Sequence, residues 1–153
     1  MNTARWVFIL AVLLLPAGCG KGRTPRVPVA GQVLLDGKPV TTGFIWVIPS
    51  DGRAATGTID SGGRFRLTTF DDGDGCIRGT HGVEVVSKQR VSATETRWLV
   101  PKKYLHAATS GVQATIDGPT DTLAIQLTSD GAKPEIERVD TSGDMAPRMP
   151  ESH

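Results

Sequence analysis

The chain opens on one unbroken apolar run and then changes period. Residues 6–15, WVFILAVLLL, are apolar throughout, and Arg5 is the only charge in the first 18 residues. From Val27 onward apolar and polar positions alternate, the period of half-buried strands. VPVAGQVLL (27–35) places Val29, Gly31, Val33 and Leu35 on one face and stops at the tight-turn dipeptide Asp36-Gly37. FIWVI (44–48) is a short apolar run ended by Pro49. AATGTI (54–59) and RFRLTT (64–69) flank DSGG, a hairpin-turn signal; Phe65 and Leu67 face one way, Arg64, Arg66 and Thr68 the other. THGVEVVSK (80–88) turns Val83 and Val85 inward and Glu84 outward. SGVQATI (110–116) gathers Val112, Ala114 and Ile116, and LAIQL (123–127) gathers Leu123, Ile125 and Leu127.

Seven short strands with turn signals between them predict an all-β fold, an antiparallel β-sandwich. No sustained, capped helical period follows residue 18. Phe65, Trp46 and Tyr104 are the candidate core-filling aromatics. Asp36-Gly37 and Gly62-Gly63 are expected to supply positive φ at turns. The longest irregular stretch is 89–111, and DDGDG (71–75) reads as a loop. Residues 129–153 offer only Ile136 and Val139 as β-branched aliphatics. That is too little apolar surface to order a segment, so a disordered tail is predicted.

The ten-residue leader run is shorter than the roughly 20 residues a membrane-spanning helix needs. With Arg5 before it and Pro16, Ala17 and Gly18 after it, the leader has the layout of a targeting segment. LPAGC (15–19) resembles the lipobox of bacterial lipoproteins, whose cysteine is acylated and becomes the first mature residue. Ala17 and Gly18 match that pattern; Pro16 stands where an aliphatic residue is usual. The resemblance implies lipidation at Cys19, a membrane partner reached through that lipid, and a cell-envelope location facing the periplasm or exterior. In a Gram-negative-type cell, Gly20 in place of Asp implies, by resemblance to sorted lipoproteins, the outer membrane. The thiol is the right nucleophile for acylation, and more than one acyl chain gives lasting anchorage. The alternative is an ordinary secretory signal with a cysteine beside it. The expected organisation is a signal peptide (1–18), a polar tether GKGRTPR reaching to residue 26, a sandwich (27–128) and a tail (129–153).

Four segments in order resemble carboxypeptidase regulatory-like domains of the wider transthyretin-like group. VAGQVLLDGKPVTTGFIWVIP matches the opening strand, D-G-x-P-V turn and second strand. TGTIDSGGRFRLTT matches the T-x-D-x-x-G-x-F-x-L hairpin. GDGCIRGTHGVEVV matches the glycine-rich loop and following strand, with His81-Gly82 where an aromatic start is usual. VPKKYLHAATSGVQATIDGPTDTLAIQL matches the closing P-x-x-Y segment and two strands. The resemblance spans roughly 27–128, extends to small lipoproteins of planctomycete-type bacteria, and implies a fold rather than a chemistry. The hydroxyisourate hydrolases of the same group end in Tyr-Arg-Gly-Ser, which has no counterpart here.

Charge and chemistry narrow the function further. Residues 27–129 hold ten basic and ten acidic side chains, a neutral body that argues against nucleic acid, which needs a net basic face. No H-E-x-x-H, G-x-S-x-G or P-loop occurs. Counting from Asp71, Asp72 or Asp74, the twelfth position is Gly82, Val83 or Val85, so DDGDG lacks the glutamate of a calcium-binding EF-hand loop. Cys76, His81 and His106 are too scattered for a zinc site. Cys76 reads as a small buried hydrophobe. No metal, cofactor or catalytic set is therefore expected, and a hydrolase is the weakest alternative. Between Lys88 and Tyr104 five cations face one acid, Glu95, with two aromatics among them. Arg97, Trp98, Lys102, Lys103 and Tyr104 form the candidate ligand surface, against a plainer reading of solvated charges and core aromatics. Two functions follow: a non-enzymatic, lipid-anchored interaction or structural module with an unknown envelope partner, or a carbohydrate- or peptide-binding lipoprotein using the loop 89–106.

Overall fold

The computed structural model describes residues 24–139; the leader, Cys19 and the tail beyond residue 139 lie outside the described residues. The strands are β1 Arg26–Val27, β2 Val29–Leu35, β3 Lys38–Pro39, β4 Gly43–Ile48, β5 Ala55–Ile59, β6 Arg64–Arg66, β7 Cys76–Ile77, β8 Gly79–Val86, β9 Lys88–Arg90, β10 Glu95–Trp98, β11 Gln113–Ile116, β12 Thr120–Leu127 and β13 Ile136–Arg138. A 3₁₀ turn (Lys102–Leu105) and a one-turn helix α1 (Ala107–Ser110) lie between β10 and β11.

Two sheets make the sandwich. One has the order β11-β8-β4-β5; in the other β12, β2 and β3 are neighbours and β6 pairs β2. Alternation decides which side chains meet. Val29, Val33, Phe65, Leu67, Ile125 and Leu127 come from one sheet. Ile45, Val47, Val83, Val85, Ala114 and Ile116 face them from the other. Cys76, a free thiol, is buried in the same core, and burial pushes its pKa up. The expected all-β sandwich is the fold.

The turns form as their residues dictate. Asp36 and Gly37 both take positive φ, 49° and 77°, and join β2 to β3 in a two-residue hairpin with Leu35 opposite Lys38. Of Gly62-Gly63 it is Gly63 that adopts positive φ, 77°. Asp60 braces this turn by accepting from the amides of Gly62 and Arg64, 2.8 Å each. Gly31 is needed for a different reason: a Cβ there would drive into the Leu123 carbonyl of β12.

Four expectations are corrected. Trp46 is not a core plug; β4 turns it outward, half-buried, with its ring centroid 6.0 Å from the exposed Phe44. Alternation required this, because Ile45 and Val47 take the inward positions. The stretch 89–111 is not wholly irregular, since it holds β10, the 3₁₀ turn and α1. The sheet pairing is not antiparallel throughout: β12 runs parallel to β2. β11 descends along β8 and the turn at 117–119 sends β12 back up beside β2. The tail, finally, is not disordered from residue 129, because β13 pairs with β10. Backbone hydrogen bonds and charge order it where apolar burial does not.

This topology gives the sandwich two distinct ends. The chain enters at β1, held by β7 (Arg26 opposite Ile77, Val27 opposite Cys76). The DDGDG loop closes this entry end. Asp74 accepts from Arg26 Nε (2.7 Å) and from the amides of Thr69 (2.7 Å) and Phe70. Desolvation pushes the Asp74 pKa up, but the amides of Thr69, Asp71 and Phe70 and the Arg26 side chain outweigh it and hold it low. β2 then runs to the far end, where Asp36, the 98–102 segment and residues 128–139 meet.

Candidate functional site

The candidate surface lies at the far end. β10 leaves the sandwich between β9 and β13 in a separate three-stranded sheet of order β13-β10-β9. Its register sets Thr96 opposite Arg90 and Glu137, and Trp98 opposite Lys88. The ladder is extended by the Trp98 amide donating to the Glu135 carbonyl (2.8 Å) and the Val139 amide donating to the Thr94 carbonyl (2.8 Å).

The five residues singled out above divide in the structure. Tyr104 is buried and points into the core. Its hydroxyl donates to the Thr128 carbonyl (3.0 Å) and accepts from the Thr128 amide (2.8 Å), tying the 3₁₀ turn to the end of β12. It is a structural residue and offers no surface to a ligand. Trp98 is also largely covered, and its indole N–H donates to Glu137 Oε2 at 3.0 Å. Lys88 and Lys102 place their ammonium groups 5.6 and 5.2 Å from the Trp98 ring centroid, within reach of its π face. Arg97 is exposed on β10.

The two lysines are engaged by the tail. Lys102 Nζ donates to Glu135 Oε1 at 2.6 Å, and Lys103 Nζ pairs with Asp130. The bond to Glu135 raises the Lys102 pKa, and the bond to Asp130, with help from Tyr104, raises that of Lys103. Lys103 in turn lowers the pKa of Asp130. Arg138 Nε closes the set on Glu95 Oε1 at 2.8 Å. The tail residues Asp130, Glu135 and Glu137 thus sit on the basic segment as a strap. Sequence reasoning missed them because each looked like a solvated charge in an unstructured tail. The available signal was complementarity: a basic stretch with one acid, and a tail, 130–153, with six acids against three bases.

Beneath the strap lies a cleft of about 290 Å³, floored by Leu35, Leu99 and Pro101 and walled by Trp98, Lys102 and the strap residues Lys133 to Glu135. Its size is at the lower edge of ordinary ligand sites. Asp36 stands at its rim, its pKa lowered by the Ser129 side chain and by the Ser129 amide that donates to it at 3.1 Å.

Comparison with protein-family models, with curated proteins and with solved structures finds no match for this chain. Among the described residues no group of three or more His, Cys, Asp or Glu side chains is placed to hold a metal ion. His81 turns into the core, its Nε2 2.9 Å from the Ile77 carbonyl oxygen, and His106 is exposed, so the structure does not bring Cys76, His81 and His106 into one cluster. The arrangement joins a three-stranded ladder, an indole N–H bonded to a carboxylate, paired cations and a small cleft of mixed polarity.

Proposed function

We propose that the protein is a non-enzymatic, lipid-anchored module of the cell envelope, held to a membrane (the outer membrane by the Gly20 pattern) through Cys19, which displays the far end of a carboxypeptidase regulatory-like sandwich to a partner. The observation that carries this reading is the separation of the two ends. The chain enters at β1, while the cleft and the Trp98 cluster lie beyond the last residue of β2. Seven residues of β2 span about 20 Å at the strand rise, so an anchor on the entry side leaves the cleft at the end of the sandwich remote from the attachment. Cys19→Ser tests the reading: labelled fatty acid should no longer be incorporated, and the protein should leave the membrane fraction. Acylation of the Cys19→Ser variant, or unchanged fractionation, overturns it.

A second reading, glycan binding, is favoured by one observation. Phe44 and Trp46 lie side by side on the outer face of β4, with Thr56 and Thr58 of β5 in register beside them. Exposed rings flanked by hydroxyls suit stacking on a sugar and hydrogen bonding to its edge. Retention of the wild type, but not of Phe44→Ala, on a glycan array supports it.

A further inference from the structure

We infer that the exposed edge partner of β10 is exchangeable, and that this edge is a docking site for an extended acidic segment of another protein, occupied here by the chain's own β13. The inference deepens the display reading above by naming the partner's chemistry.

The first ground is how β13 is held. None of its three residues is buried, and Ile136 stays 46% exposed. The strap is retained by a backbone ladder and by carboxylates on cations, without an apolar anchor of its own. Such an attachment opens locally while the core stays closed. The site it covers is built differently. Trp98 is buried with Lys88 and Lys102 over its ring, and Leu35, Leu99 and Pro101 line the cleft beside it, while the carboxylate on its N–H, Glu137, comes from the strap.

The second ground is the pattern the site reads. In an added strand, residues two apart share a face. Glu135 and Glu137 are such a pair, one on Lys102 and one on the Trp98 indole. A ligand is therefore an extended peptide with two carboxylates spaced as E-x-E, adding to β10 by backbone hydrogen bonds. Charge favours an acidic partner over a neutral one. Even with the strap in place, Lys88, Arg90 and Arg97 on β9 and β10 lack a salt-bridge partner among the described residues. Residues 128–135 join β12 to β13 as a short linker, so the strap competes at an effective concentration of the order of millimolar. A partner displaces it by out-binding that value or by removing its charges.

The probe is a labelled peptide of the strap's own sequence, KPEIERV, and the receptor is the full chain in detergent. Glu135→Lys combined with Glu137→Lys turns the strap against Lys102 and Lys88. This variant should bind the peptide at least tenfold tighter than the wild type, binding should weaken in high salt, and KPQIQRV should bind at least tenfold more weakly. Equal binding to both proteins, or equal binding of both peptides, overturns the inference. Amide exchange on the unaltered chain gives an independent reading. The Trp98 amide should exchange faster than that of Val85; exchange of both only through global unfolding overturns the inference. A concentration-dependent dimer of the unaltered chain that takes up no peptide also overturns it, because the partner is then a second copy. None of these readings depends on acylation, so failure here and failure at Cys19 are distinguishable.

Discussion

In the sandwich, Val33, Ile45, Val47, Val83 and Val85 are wholly removed from solvent. In the sheet of β9, β10 and β13, Trp98 is the one buried residue of ten. Both regions are hydrogen-bonded β structure, but different forces hold them. Packed apolar area stabilises the first, at roughly 25 cal/mol per Å² buried. Backbone hydrogen bonds and screened ion pairs hold the second, and each contributes little where water competes. One chain thus carries a cooperative body and an attachment able to open separately.

The comparison breaks most easily at Phe65. The two arginines beside it are exposed while Phe65 is 4% exposed. Phe65→Ala should cost about 3–5 kcal/mol, against a total stability of about 5–15 kcal/mol for a domain, and Arg66→Ala should cost little. Urea melts of the two variants decide it; equal small losses would show that the sandwich register is wrong. Tyr104→Phe is next. It strips the Thr128 amide and carbonyl of their partner at the joint between body and strap, and should cost about 1–3 kcal/mol, read by the same melts. A loss near zero would mean that the joint is held elsewhere.

Acid should separate the regions by their carboxylates. The Asp74 pKa is held below its ordinary value of 3.8, so its contribution is present above that pH and lost as pH falls through the lower folded value. Thermal melts should therefore show the wild type losing more stability than Asp74→Asn below pH 3.8, with parallel curves above it. Asp130, lowered by Lys103, follows the same sign, while Lys102 and Lys103, raised from 10.5, lose their contribution only as pH rises above that value. The smallest effect on the body is expected from Glu135→Gln with Glu137→Gln. The melting temperature should stay within about 1 °C, while the Val139 amide, bonded to Thr94, exchanges faster. An unchanged exchange rate would show that the ladder alone holds the strap.

Period-two alternation and turn chemistry were enough to write down the sandwich. Val29 to Leu35, the Asp36-Gly37 hairpin, Phe65 between two arginines, and the Ile125–Leu127 face all stand where the pattern put them. These are local decisions: which face a side chain takes follows from its neighbours two residues away, and a two-residue turn follows from tolerance of positive φ. Trp46 was misread because size suggested burial, whereas its place between Ile45 and Val47 decided otherwise.

What the tertiary structure alone decided is which distant segments meet. Nothing within 129–139 signals order, since every residue there is exposed except Ser129, which is half-buried just past the end of β12. The strap forms because Lys102, Lys103 and the Trp98 indole present cations and a donor at the spacing of its carboxylates. Long-range pairing in the sandwich likewise set β12 parallel to β2, and core packing withdrew Tyr104 from the surface. Alternation records a residue's exposure to one side of its own strand. It carries no record of charge partners some 30 residues away, because their attraction exists only once the core has brought them to the same end.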